Sequence, residues 1–89
     1  MYTLLSFSAN WCEPCKWAEP VIHDVVEHFD GKLELRKIDI DTEPAIAREH
    51  HILSVPTFVL MNGDVEMWRM NGFDLAPNMI RSLGQHIPS

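Results

Sequence analysis

Apolar positions along this chain change their spacing repeatedly, and each change marks an element. Leu4, Leu5 and Phe7 form a short apolar run that ends at Ser8-Ala9-Asn10 and reads as a buried strand. From Cys12 the period becomes helical. Cys15, Ala18, Ile22, Val25, Val26 and Phe29 fall on one face, with Lys16, Glu19, Asp24 and Glu27 opposite. Pro14 suits the first turn of that helix, where its missing N–H costs nothing. Pro20, within the pattern, predicts a kink, and Asp30-Gly31 an end. His23 and His28 lie on the polar side and are expected in solvent.

Leu33 to Ile40 reads as a second strand whose apolar phase shifts between Leu35 and Ile38, as expected of an internal strand covered on both faces. Asp41-Thr42-Glu43-Pro44 carries the acidic, hydroxyl and proline signals of a helix start, and the helix runs to about His51. Thr57 to Met61 is a nearly all-apolar third strand. Asn62-Gly63 then signals a type I′ hairpin into Val65 to Met70. After Gly72 a last helix, with Pro77 in its first turn, buries Ala76, Met79, Ile80, Leu83 and Ile87. The order is βαβαββα, an α/β domain. Its first two strands should be parallel through a crossover, and the hairpin strand antiparallel to them. Ligands of such sheets gather at the C-terminal ends of the parallel strands, where Trp11 and Cys12 emerge.

Length allows one core, so residues 1–89 are expected to form a single domain. Seven basic against thirteen acidic residues give a net charge of −6, a poor footprint for nucleic acid or an anionic membrane. No apolar run is long enough to span a bilayer, and the opening Met-Tyr-Thr-Leu-Leu lacks a basic leader, so a cytoplasmic monomer is the expectation. Two cysteines are too few for a disulfide scaffold. A zinc site needs four ligands, and His50 and His51 lie far along the chain from Cys15, so no metal is expected.

The chemistry sits in Trp11-Cys12-Glu13-Pro14-Cys15-Lys16, which holds both cysteines. At this spacing two sulfurs can join in a disulfide or part as thiols without moving the fold. A cysteine at a helix N-terminus meets free backbone N–H groups and the positive end of the macrodipole, which favour its thiolate. The thiolate is the attacking species in thiol–disulfide exchange. Electron transfer through a dithiol is the leading expectation, with no bound cofactor.

Nearly the whole chain resembles the thioredoxin family. The residues that carry the likeness are Trp11 to Lys16, Pro20, Lys37-Ile38-Asp39-Ile40-Asp41, Val55-Pro56-Thr57, the Asn62-Gly63 pair and Gly72. The 44-residue step from Cys12 to Pro56 matches the family's separation of its dithiol from its cis-proline. The resemblance implies a minimal thioredoxin fold, a four-stranded mixed sheet with three helices, without the family's first strand and helix. Glu13 stands where thioredoxins usually have glycine. Ser6 stands where they carry a buried aspartate that deprotonates the second thiol.

By this resemblance Cys12, nearer the helix tip and expected to be the more exposed, attacks a partner disulfide. Cys15, one turn in on the core face, resolves it. Pro56 is expected in the cis form against the dithiol, with the Val55 backbone free to pair with a substrate segment. Trp11 lines the docking rim and Gly72 keeps the groove open. Glu13, Pro14, Ser6 and Lys37 modulate the sulfurs, Lys37 reaching solvent on its long stem. Trp17 covers the helix flank or a partner surface, and Met67 and Trp68 pack on the sheet. The implied activity is reduction of protein disulfides, recharged by a thioredoxin reductase-type or other thiol donor. Glutathione-driven, glutaredoxin-like turnover and a non-catalytic docking module are the rivals.

Overall fold

The computed structural model describes residues 1–88. Strands β1 (Tyr2–Ser8), β2 (Leu33–Asp39), β3 (Thr57–Asn62) and β4 (Val65–Asn71) alternate with helices α1 (Glu13–His28), α2 (Pro44–Glu49) and α3 (Ala76–Gly84) in the expected βαβαββα order. They form one mixed sheet in the order β2-β1-β3-β4, with β1 parallel to β2 and antiparallel to β3. The strand antiparallel to the first two is therefore β3. β4, the hairpin strand expected to oppose the first two, instead pairs antiparallel to β3 and so runs in the direction of β1.

Alternation along β1 divides the interior in two. Leu4 points to one face, where Ala18, Ile22, Val25 and Phe29 of the α1 segment meet Met79 and Leu83 of α3. Leu5 and Phe7 point to the other, where they pack with Ile38, Val59 and Ala47 of α2. Ser6 and Ser8 continue the α1 face toward the helix start, in step with Leu4. Met67 and Trp68 lean on the α1 side of the core, as expected.

Three local expectations are corrected. β2 lies at the sheet edge, not inside it, and the burial of Leu33 and Ile38 amid exposed Glu34, Arg36 and Lys37 reflects that position. The hairpin turn is Gly63-Asp64, because Asn62 already pairs with Val65. A positive φ falls on Gly63 alone, at 61°, which is the sign pattern of a type II′ turn and not type I′. The last helix ends at Gly84, so buried Ile87 packs from the segment beyond it. α1 continues through Pro20. No helix among the described residues is long and apolar enough to cross a membrane.

Candidate functional site

The end of β1 delivers the dithiol. Ser8 closes the strand, the Cys12 N–H donates to the Ala9 carbonyl at 3.1 Å, and Cys12 takes the N-cap position of α1 with extended backbone. Its sulfur does what a capping side chain does: Sγ accepts the Cys15 N–H at 3.2 Å. Pro14 falls in the first turn, as expected. Cys12 and Cys15 are joined by a disulfide, with their Cα atoms 5.3 Å apart.

The expected order of exposure is reversed. Cys12 is 4% exposed, whereas Cys15 is half-buried. Cys15 instead borders a cleft, about 40 Å³ in volume, that Ser6 and Ser8 leave beneath the helix.

The Val55–Pro56 peptide bond is cis, and Pro56 lines the same cleft as Cys15. Two contacts hold this loop. The Gly72 N–H donates to the Pro56 carbonyl at 2.7 Å, and the fully buried Thr57 hydroxyl donates to the Ser54 carbonyl at 2.8 Å. Gly72 has φ of +90° with open space where a Cβ would stand. Glycine is needed there for the backbone angle, since only that left-handed region disfavours a side chain.

Trp11 stands at the rim, 66% exposed, with its indole Nε1 donating to Asp41 Oδ2 at 3.0 Å. Beside it a hollow of about 270 Å³ is lined by Trp11, Ile40, Ala47, Ile52, Leu53 and Val55. Leu53 is almost wholly exposed there, and Phe73 and Leu75 add apolar surface beyond Gly72. Trp17 is also exposed. Glu13 is paired with Lys16 at 3.0 Å, so the carboxylate beside the sulfurs carries its own counter-charge. A broader concavity, about 880 Å³ over Thr3, Arg36, Glu49 and Glu66, includes none of the expected site residues.

Below Cys15 the cleft is polar. Ser6 and Lys37 are partners in the β1–β2 register, and both line it with Glu19 and His23. Lys37 Nζ donates to Glu19 Oε1 at 3.1 Å and lies 3.5 Å from His23 Nε2. Among the described residues no group of three His, Cys, Asp or Glu side chains could hold a metal ion. The redox group is the cysteine pair itself.

A disulfide capping a helix, set against a cis-proline on this sheet, narrows the comparison to one family. The thioredoxin family model matches residues 1–84. The chain belongs to the thioredoxin family. It is 31% identical over 84 residues to a thioredoxin of Staphylococcus epidermidis, covering 94% of this chain and 81% of that protein. It is 34% identical over 86 residues to the bifunctional thioredoxin reductase/thioredoxin of Mycobacterium leprae, covering 97% of this chain and 19% of that protein. A thioredoxin structure from Halobacterium salinarum superposes with a TM-score of 0.87 at 26% identity, covering 99% of this chain and 76% of that one. The structure of a malaria-parasite thioredoxin-2 reaches 0.90 at 23% identity, over 97% and 84% of the two chains. That last likeness concerns the fold alone.

Family and geometry together make this a thiol–disulfide oxidoreductase with its redox-active pair at Cys12 and Cys15. Trp11, Val55, Pro56, Gly72, Ser6, Lys37, Glu13 and Pro14 all gather at this end of the sheet. Sequence reasoning missed Asp41 as the Trp11 acceptor, and Glu19 and His23 as cleft residues. The second omission had a signal: Cys15, Glu19 and His23 recur every four residues, a spacing that keeps them on one stripe of a helix.

Proposed function

We propose that this protein reduces disulfide bonds in other proteins, as a single-domain monomer of the cytoplasm, with Cys12 attacking and Cys15 resolving. The observation that carries this reading is the position of Cys12 at the N-cap of α1. The N–H of Cys15 already donates to its sulfur there. A thiolate at that atom gains both the hydrogen bond and the helix-terminus field. Low exposure of Cys12 does not oppose attack, since the neighbouring hollow and the rim of Trp11 and Val55 give an extended partner segment a seat against it.

The Cys12 thiolate attacks a partner disulfide, forming a Cys12–partner bond and releasing one partner thiolate. Cys15 then attacks Cys12. The mixed disulfide breaks, the Cys12–Cys15 bond forms, and the second partner sulfur leaves with the electron pair. Two electrons have passed to the partner. A thioredoxin reductase-type enzyme or another dithiol returns them, and the joining of both activities in the Mycobacterium leprae protein's printed name supports that donor.

The test is catalysed reduction of an accessible protein disulfide by dithiothreitol. Cys12→Ser should abolish catalysis, and Cys15→Ser should trap mixed disulfides. Equal trapping by both variants would reverse or void the roles. Partner binding without turnover in the unaltered protein would leave a docking module instead. Comparing thioredoxin reductase with glutathione as electron source identifies the donor.

A further inference from the structure

We propose that two copies of this chain pair edge to edge along β2, joining their four-stranded sheets into one. This is a concentration-dependent association of the monomer, and it stands on observations separate from the redox chemistry. Its starting point is the order of the sheet. β2 has β1 on one side and, among the described residues, no strand on the other.

Within a strand the N–H and C=O of one residue turn the same way, and those of the next residue turn the opposite way. The Ile40 N–H donates to the Ser8 carbonyl at 3.0 Å, so Ile38, Arg36 and Glu34, in the same phase, turn toward β1. Leu33, Leu35 and Lys37 therefore turn their N–H and C=O groups outward. Such a row is a template for a further strand, and folded proteins blunt it with charge. The charges here are Glu34, Arg36 and Lys37, all exposed. The other edge is closed differently. On β4, Glu66 and Arg69 pair with each other at 2.8 Å, and a bulge shifts the register at Leu60/Met61.

The β2 charges exclude most pairings and admit one. Two copies related by a two-fold axis run antiparallel, and the residue on the axis lies opposite itself. Three such registers keep five or more of the seven residues of each β2 paired. Centred on Arg36, two guanidiniums meet; centred on Lys37, two ammoniums meet. Centred on Leu35, Glu34 faces Arg36 of the partner subunit and Arg36 faces the partner's Glu34. Opposite charges across a strand pair stabilise it and like charges destabilise it, so the charges select the Leu35 register.

Hydrogen bonding agrees with that register. Leu35, whose backbone groups point outward, exchanges both bonds with the partner's Leu35. Glu34 and Arg36 then occupy the non-hydrogen-bonded positions, where facing side chains come closest. Both border the broad concavity on the α2 side, which gives them room to meet. Arg36 is only loosely engaged within its own chain, 3.8 Å from Glu43 Oε1. On the α1 side Leu33 comes opposite the stem of the partner's Lys37. The two-fold axis reverses one copy, so the two dithiols stand at opposite ends of the joined sheet and stay open. Two seven-residue strands bury little surface, which makes the pairing weak and confines it to high concentration.

Sedimentation equilibrium at low salt, from micromolar to millimolar protein, reads the association without any turnover. The dimer fraction should grow with concentration and shrink as salt is raised. Glu34→Arg or Arg36→Glu sets like charges against each other twice, and each should weaken the dimer at least about tenfold. An equimolar mixture of the two variants should recover it, because every facing pair is then opposite again. The double variant Glu34→Arg/Arg36→Glu should recover it for the same reason. Both side chains are exposed and away from the dithiol, so fold and disulfide reduction should be unchanged in every variant. A chain that stays monomeric at millimolar concentration overturns the proposal. So does a dimer indifferent to both charge reversals, or a mixture that fails to recover, since either places the contact elsewhere on the surface.

Discussion

Trp11 Nε1 and Asp41 Oδ2 are joined by a hydrogen bond of 3.0 Å across 30 residues of chain. The bond fastens the turn before the dithiol to the segment that follows β2. Asp41 is itself held, its N–H donating to Asp39 Oδ1 at 2.8 Å. The indole is thereby fixed as one wall of the apolar hollow that Val55 and Leu53 complete.

Trp11→Phe keeps an aromatic wall and removes the donor. Because the bond is exposed, its loss should cost at most about 0.5–1.5 kcal/mol of stability. The larger effect should be on partner capture, with KM for a protein disulfide raised more than kcat is lowered. Asp41→Asn, which keeps an acceptor, should behave nearly as the unaltered protein. Steady-state kinetics with one protein substrate checks both. A fall in kcat alone would place Trp11 in the chemistry instead of in docking.

Thr57 is buried completely, and its Oγ1 donates to the Ser54 carbonyl at 2.8 Å while lying 3.2 Å from Asn71 Oδ1. Thr57→Val preserves shape and deletes the hydroxyl. The Ser54 carbonyl loses its donor, so unfolding in urea should show a loss of about 1–3 kcal/mol. An unchanged midpoint would mean that solvent replaces the lost partner.

The helical stripe Ala18, Ile22, Val25 and Phe29 made α1 legible, and the alternation of Leu4, Leu5 and Phe7 made β1 so, because burial on one side imposes those periods. The place of β2 was not legible. Its polar residues record an edge, but periodicity within a strand does not say which neighbours it has. The turn slipped by one residue for a related reason. Asn62-Gly63 and Gly63-Asp64 both suit a tight turn, and the pairing of Asn62 with Val65 decides between them. At the site, Cys12 and Cys15 stood out by residue type and spacing, and Pro56 only through the family resemblance. Cys15's greater exposure did not, since it depends on small Ser6 and Ser8 side chains arriving from another element.

Ser6→Asp places a carboxylate in the cleft that Cys15 and Lys37 line. Partial burial raises a carboxylate's affinity for protons and makes it a better base near neutral pH. The resolving step, attack of Cys15 on the mixed disulfide, should therefore accelerate. Stability should fall, by about 1–3 kcal/mol, because Lys37 is already engaged by Glu19 and satisfies the new charge poorly. Single-turnover kinetics and urea unfolding on the same variant check the two halves. No acceleration would mean that an acceptor is not limiting.

Glu66 and Asp74 are expected to contribute to the acid dependence of stability. The Arg69 side chain, first by hydrogen bonding and then by charge, holds the Glu66 carboxyl below its ordinary range. The Asn78 side chain and then the Leu75 N–H do the same for Asp74. With folded values depressed, the unfolded chain binds protons first on acidification. The stabilisation is thus full above the ordinary carboxylate range and drains away as pH falls through the lower folded values. Urea midpoints taken between about pH 5 and pH 3 should show this decline. Glu66→Gln should flatten it, changing neutral stability by no more than the ~0.2–1 kcal/mol of an exposed pair. Arg69→Met should cost more at every pH, because it also strips the 2.7 Å hydrogen bond from the His50 carbonyl. Identical pH slopes for the parent and Glu66→Gln would show that this pair is not linked to folding.

Glu13 and Lys16 set opposite charges beside the sulfurs, joined at 3.0 Å and both well exposed. A carboxylate next to an incipient Cys12 thiolate raises its energy and favours the disulfide, whereas the ammonium does the reverse. Glu13→Gln should therefore stabilise the reduced form and make the couple more oxidising, and Lys16→Gln should make it more reducing. Exposed pairs are worth about 0.2–1 kcal/mol, and about 1.4 kcal/mol corresponds to 30 mV for two electrons, so each shift should be on the order of 5–20 mV. The double variant should return close to the parent potential, since the two charges largely cancel at the sulfur. Raised salt should shrink both single shifts together. Redox titration of the Cys12/Cys15 couple against a dithiol buffer at two ionic strengths measures all of this. A Glu13→Gln shift that ignores salt, or that runs toward more reducing values, would assign Glu13 to helix capping and not to its charge.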